Sequence, residues 1–213
     1  MEQLKPFNPL DKRNLGESVA DALLLQSPVS LPPPEPFIAA GIYAIYYVGD
    51  FPLYKEVVRR NRNNKWKWPI YVGKAIPAGA RKGGLGLDCD PGFVLHGRLR
   101  EHAESIKQVN NLRIEDFACR YLAVDDIWIP LAESTLIEMY KPIWNIQIEG
   151  FGNHDPGKGR YNQKKSSWDV IHPGRAWAER LQPATQTGEE MHDATEQYIA
   201  ITSENYPEAD EEI

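Results

Sequence analysis

Seven residues of this chain are of types that, brought together, could hydrolyse a phosphodiester bond: Tyr43, Tyr71, Lys74, Arg98, His102, Glu133 and Asn145. That reaction needs something to activate a water, something to stabilise charge gathering on the phosphoryl oxygens, and help for the leaving 3′-oxygen. Glu133 is a hard oxygen donor, suited to a divalent cation, preferably Mg²⁺, that keeps most of its waters. It stands outside any Asp cluster, so it points to one metal rather than a two-metal clamp. Glu138, five residues on, is its competitor. Arg98 supplies the planar fork that grips phosphate oxygens in pairs. Arg98 and His102 are four apart, so a helix would put them on one face. A free tyrosine has a pKa near 10 and is a poor base at neutral pH unless its surroundings intervene. Each residue also has an ordinary reading: strand tyrosines pack in cores, a lone histidine sits on the surface, and a glutamate near a helix start favours the dipole.

The elements that must hold these groups follow from apolar patterning. Residues 38–48 are apolar, β-branched and aromatic, and read as a strand; 70–75 read as a second and 117–124 as a third. Residues 95–109 carry Leu95, Leu99, Ala103 and Ile106 at helical spacing. Residues 130–140 read as another helix, with Asp125 or Asp126 as its cap and Pro142 as its stop. This order predicts an α+β fold, a small antiparallel three-stranded sheet flanked by helices. Residues 1–37 form an N-terminal arm with one short helix at 17–25 and a proline run at 32–34. Residues 49–69 are a basic insertion in the 38–146 core, 147–188 a C-terminal extension, and 189–213 an acidic tail expected to be mobile. The glycine-rich stretch 76–94 reads as a loop, and its Gly83-Gly84-Leu85-Gly86 run lacks the strand and helix of a phosphate-binding loop.

Two tripeptides, Gly41-Ile42-Tyr43 and Tyr71-Val72-Gly73, precede Arg98, His102, Glu133 and Asn145 in that order. The ordered set resembles the GIY-YIG nuclease family. Tyr71-Val72-Gly73-Lys74-Ala75 and Glu133-Ser134-Thr135-Leu136-Ile137, followed by Lys141-Pro142-Ile143-Trp144-Asn145, look like the motifs of its nucleotide-excision repair branch. The resemblance implies that Glu133 ligates the metal and that Tyr43 and Tyr71 line the site, one of them positioning or deprotonating the attacking water. It implies that Arg98 holds the scissile phosphate, that His102 stands beside it for proton transfer or phosphate contact, that Asn145 orders the site, and that Lys74 is an accessory cation. The 27 residues between the tripeptides exceed the connection of compact members, so 49–69 departs from the minimal pattern.

Bulk properties bound the partners. The chain has 213 residues, 42% of them hydrophobic, enough for a core. Cys89 and Cys119 have no metal-ligand spacing, which fits a reducing compartment. The sequence starts without a signal pattern and lacks an apolar run long enough to span a bilayer, so a cytoplasmic location without membrane contact is expected. The net charge of −6 argues against a nucleic-acid partner, yet residues 189–213 hold nine acidic residues and no Lys or Arg. Without them 24 basic residues face 21 acidic ones, and residues 55–82 hold nine basic and one acidic. A polyanion feels the local field, because exposed charges beyond about 10 Å are screened. The expected DNA-contacting residues are Arg59, Arg60, Arg62, Lys65 and Lys67 in the insertion and Lys158, Arg160, Lys164 and Lys165 after the core.

Repair nucleases of the family usually carry several further domains, and homing endonucleases a separate DNA-binding domain on a long linker. A basic insertion combined with the segment 150–160 instead resembles the type II restriction endonucleases of the family, in particular the subgroup acting on CCGCGG. That resemblance implies double-stranded DNA as substrate, Mg²⁺ as cofactor, and a bacterial cytoplasmic homodimer on a palindrome, paired in function with a cognate DNA methyltransferase. A structure-specific or repair-type nuclease with little sequence preference, and a non-catalytic DNA-binding module, are the alternatives.

Overall fold

A computed structural model describes residues 11–77 and 90–206. The glycine-rich run 83–86, Cys89 and the last acidic residues, 207–213, lie outside the described residues. The expected mixed architecture is present, but among the described residues the sheet has four antiparallel strands instead of three, in the order β1-β4-β2-β3. The strands are β1 (Val29–Ser30), β2 (Gly41–Tyr47), β3 (Tyr71–Ala75) and β4 (Phe117–Ala123). The unexpected strand, β1, pairs Val29 with Cys119 and Ser30 with Ala118. Two residues are too few to show alternation in a sequence.

β2 is the central strand of the motif pair and is buried along its whole length. Helices cover both sheet faces there, so Gly41-Ile42-Tyr43-Ala44-Ile45-Tyr46-Tyr47 has no polar alternate positions. β3 is an edge strand. Its even positions, Val72 and Lys74, and its odd positions, Tyr71 and Gly73, point to opposite faces.

Among the described residues seven α-helices surround the sheet: α1 (Lys12–Leu24), α2 (Lys55–Asn61), α3 (Val94–Lys107), α4 (Ile129–Tyr140), α5 (Ile143–Ile146), α6 (Ser167–Ile171) and α7 (Gly188–Glu204). α1 starts five residues before the predicted helix and lies along α4, burying Ala20 and Leu23 completely. Its Gly16 backbone leaves no room for a Cβ beside Thr135. The N-terminal arm therefore helps cover the core. α3 buries Leu95, Leu99, Ala103 and Ile106 as predicted, together with His102. α4 begins after Trp128 without a side-chain cap. Asp125 accepts from Ile127 N instead, closing the preceding turn. Lys141 in the left-handed region ends α4, and Pro142 prevents its continuation.

The acidic stretch after residue 188 is not a loose tail through Glu204. α7 opens with a capping box, Thr187 accepting from Glu190 N while Glu190 accepts from Thr187 N. It buries Met191, Thr195, Ile199 and Thr202 on one side. Beyond it, Tyr206 lies against Trp68, with ring centroids 4.6 Å apart, and donates to Lys67 O.

A buried polar network sits behind the sheet, where Tyr54, Trp144 and His172 meet. Trp144 Nε1–H donates to Tyr54 Oη at 2.9 Å. Tyr54 contacts His172 Nε2 at 2.6 Å, and His172 Nδ1 contacts Asn111 Oδ1 at 3.0 Å. A carbonyl oxygen only accepts, so Nδ1 carries the proton and Nε2 accepts from Tyr54. Burial, aided by the charge of Arg175, pushes His172 down to about 3. A histidine depressed in the folded state stabilises fully above about pH 6.5, and that contribution fades as pH falls from there towards the folded value. Urea unfolding at pH 7 and pH 5 should therefore show His172→Gln losing about 2 kcal/mol less than the parent protein over that interval.

Candidate active site

The sheet register creates the centre of the site. Tyr43 on β2 stands opposite Gly73 on β3. A Cβ at position 73 would lie 2.3 Å from Tyr43 Oη, so glycine there leaves space for the tyrosine ring. Gly41, opposite Ala75 and Ala123, is needed for a similar reason: a Cβ would lie 2.0 Å from the Leu122 carbonyl oxygen. Both glycines of the tripeptides are thus steric requirements of the strand packing.

A cleft of about 610 Å³ opens at the β3 edge, between α3 and α4. Its lining includes Tyr43, Tyr71, Lys74, Arg98, Glu101, Glu133 and His154. Five of the seven sequence-predicted site residues therefore meet in one place. His102 lies just behind, 1% exposed, with its Nε2 2.6 Å from Tyr43 Oη. Its imidazole stacks on Phe151 at 4.5 Å and meets Tyr71 edge-on at 5.1 Å.

Asn145 is placed differently. Its side chain donates to Val72 O and accepts from Val72 N, both at 2.8 Å. It does what a neighbouring strand would do for one residue of edge strand β3, between the two site residues Tyr71 and Lys74. The amide acts on the site by holding β3.

On the α4 side, Lys74 Nζ lies 2.6 Å from Glu133 Oε2. Glu138, the competing carboxylate, is exposed on α4 and is not among the cleft lining. On the α3 side, Arg98 is held by three groups. Nη1 contacts Glu101 Oε2 at 2.9 Å and the imidazole of His154, and Nη2 donates to Gly152 O at 3.2 Å. Glu101 was not predicted, although its position three residues after Arg98 is a helix-neighbour spacing. His154 is 56 residues from Arg98, and nothing local in the sequence links them.

The electrostatics set the protonation states. Burial, reinforced by Tyr71, raises the Tyr43 phenol well above the ordinary tyrosine range, with Arg98 opposing. Burial raises Tyr71 as well, again against Arg98. Burial, and then the charge of Arg98, holds His102 well below its ordinary value. At neutral pH both phenols keep their protons and the imidazole is neutral.

Glu133 suits a divalent cation by the chemistry of its donor set. It is a hard oxygen donor facing an open cleft, where a small cation can keep several waters. The cleft's other carboxylate, Glu101, is paired to Arg98 as Glu133 is to Lys74. The described residues contain one cluster of three metal-type side chains, His192, Asp193 and Glu196, on α7, and it lines none of this cleft.

The basic residues expected to contact DNA divide into two sets. Arg60 turns inward: it donates to Ser203 O at 2.8 Å, pairs with Glu56, and lies over the Tyr206 ring at 4.9 Å. Arg59 is exposed but held in two hydrogen bonds to Glu56. Lys165 is paired with Glu179, and Lys164 donates to Thr185 Oγ1. Arg62, Lys65, Lys158 and Arg160 are exposed, and Lys67 is half-buried. Arg62 precedes and Lys65 lies within a turn in which Asn63, Asn64 and Trp66 have φ of 59°, 61° and 45°. Asparagine tolerates that region, whereas tryptophan is strained there. Arg120 Nη1 donating to Trp66 O at 2.9 Å and Asn61 bracketing Trp68 hold the turn in place.

Fold and site together define a GIY-YIG nuclease, a DNA-cleaving hydrolase. A family model described as the Eco29kI GIY-YIG domain matches residues 35–199, more than half of the chain, and the chain belongs to this restriction endonuclease family. A search of curated proteins finds no match. No helix among the described residues is long and apolar enough to cross a membrane.

Because Tyr43 and position 73 compete for one volume, Gly73→Ala should displace the phenol from His102. The expected result is a loss of DNA cleavage of about 100-fold, at a stability cost of about 1–3 kcal/mol. Single-turnover cleavage beside urea unfolding checks both. A wild-type rate in a folded variant would refute the steric account.

Proposed function

We propose that the chain is a type II restriction endonuclease that makes Mg²⁺-dependent double-strand cuts at a palindromic GC-rich site, CCGCGG. The observation that carries the reading is the single cleft in which Tyr43, Tyr71, Lys74, Arg98 and Glu133 converge, backed by His102. Family membership supports the restriction class.

In this reading Arg98 grips a non-bridging oxygen of the scissile phosphate and neutralises charge as the phosphorus becomes five-coordinate. Tyr43 takes a proton from the attacking water while passing its own phenolic proton to His102 Nε2. The relay suits a phenol whose burial disfavours the phenolate and a neighbour that burial keeps neutral. Tyr71 borders the water's approach, and Lys74 adds positive charge beside it. Glu133 would hold the Mg²⁺ ion. When bound, that cation supplies Lewis-acid stabilisation of the phosphate and makes its bound water more acidic.

A palindrome read by one active site per chain calls for a homodimer, one subunit cutting each strand. Arg62 and Lys65 on the strained turn, with Lys158 and Arg160, are the proposed contacts to DNA. Arginine or lysine on guanine O6 and N7 would read the GC steps. A bacterial cytoplasm and a cognate methyltransferase that protects the same site complete the reading.

A plasmid with one CCGCGG site, incubated with Mg²⁺ or with EDTA, tests it. One cut at that site is expected, lost in EDTA and in Glu133→Ala. Cleavage of branched DNA alone would favour a structure-specific nuclease instead. For the DNA contacts, alanine at Arg62 or Lys65 should separate two behaviours. A base-reading residue costs about 1–3 kcal/mol and relaxes one position of the site, while a phosphate contact weakens all DNA and lowers the salt slope by about one. Should every such variant behave the second way, readout by this turn is wrong.

A further inference from the structure

We propose that Arg175 is a positioning residue for Arg98 and His102, acting through the loop of residues 150–154. It belongs to none of the family's motif positions and stands 77 residues from Arg98 in sequence. Its side chain is 1% exposed and paired at 2.7 Å with the equally buried Asp169. The guanidinium lies between two indoles, 4.4 Å from the Trp168 ring centre and 4.6 Å from that of Trp177. A lone ion pair this deep is expensive unless every donor finds an acceptor.

Its other hydrogen bonds all go to one loop. Nη1 donates to Phe151 O and Asn153 O, both at 3.1 Å, and Nη2 donates to Gly150 O at 3.0 Å. Three of four successive carbonyls thus point at Arg175. The one left over, of Gly152, accepts from Arg98 Nη2 at 3.2 Å. The next residue after Asn153 is His154, whose imidazole contacts Arg98 Nη1. Within the same loop Phe151 lies nearly parallel to the His102 ring, at 18°. A Cβ on Gly152 would come within 3.0 Å of Arg98 Nη2 and 3.2 Å of Tyr71 Oη, so the loop backbone runs hard against the site.

The loop has neither strand nor helix to fix its backbone, and a planar fork of donors substitutes for one. Lysine keeps the charge against Asp169 but cannot span three carbonyls or stack flat between indoles. Arg175 therefore sets where Arg98 points and how His102 is packed without touching the reacting atoms.

The test uses the full chain with Arg175→Lys and with Trp177→Leu, the second at a half-exposed ring that is safer for folding. Three quantities are read: DNA affinity without metal, single-turnover cleavage with Mg²⁺ at saturating enzyme, and the His102 ring resonances by NMR. Affinity should stay within about threefold, while cleavage falls about 100-fold in Arg175→Lys and about tenfold in Trp177→Leu, the scale expected from a misplacement near 1 Å. The His102 resonances should shift in both, because the ring current of Phe151 moves. A folded Arg175→Lys protein with wild-type rate and unmoved His102 overturns the proposal. If that variant does not fold, Trp177→Leu decides, and unchanged rate and resonances overturn it equally. The rate arm rests on the nuclease reading above. If the unaltered protein cuts no DNA that reading fails, and the His102 resonances alone decide the role of Arg175.

Discussion

The alignment of Tyr43 with Gly73 across β2 and β3 is the constraint on which the site depends. One strand supplies a bulky ring and its partner supplies the vacancy that accommodates it. From that match follow the phenol's distance to His102, the exposure of the β3 edge to the cleft, and the approach of Lys74 to Glu133 from the other face. A slip of one residue would reverse the facing of every β3 side chain. Asn145 guards against the slip by binding both backbone groups of Val72. The final asparagine of the motif thus acts as a register pin, at the edge of a sheet that would otherwise be held on one side only.

Around this centre the two walls are built by different means. The α4 wall is short and direct, a glutamate on a helix reaching a lysine on the adjoining strand. The α3 wall is layered: Arg98 rests on Glu101, His154 and a loop carbonyl, and the loop rests on a second, hidden arginine. Burial does further work on that side. It keeps both phenols protonated and the imidazole neutral, so the groups that could exchange a proton are poised in complementary states.

Much of this was legible in the sequence. The apolar run of β2, the second tripeptide and the four-residue spacing of Arg98 and His102 each translate directly into geometry. Glu133 was separated from Glu138 by pattern, and Glu133 is the one that lines the cleft. Other features left weaker traces. β1 is two residues long. Glu101 stood at a telling helical interval but was hidden by the commonness of such pairs. α7 had both a Thr187–Glu190 capping signature and a stripe of Met191, Thr195 and Ile199, yet its charge dominated the reading. Arg60 looked like its basic neighbours and differs only because Tyr206, far along the chain, folds over it. His154 and Arg175 meet the site through a loop whose path is set by tertiary packing, which short-range pattern cannot encode.

The docking of α7 has one more consequence. A freely moving acidic segment can imitate a nucleic-acid backbone and settle into the very groove meant for DNA. Five of the nine acidic residues of the C-terminal stretch are instead locked along a capped helix, their positions fixed by Met191, Thr195, Ile199 and Thr202. Held there, those charges cannot serve as a tethered decoy. They become a fixed patch of negative charge on one face, so an encounter with a polyanion is unfavourable from that direction. The helix thereby contributes to orientation before any specific contact forms, and its influence should fade as counterions screen it.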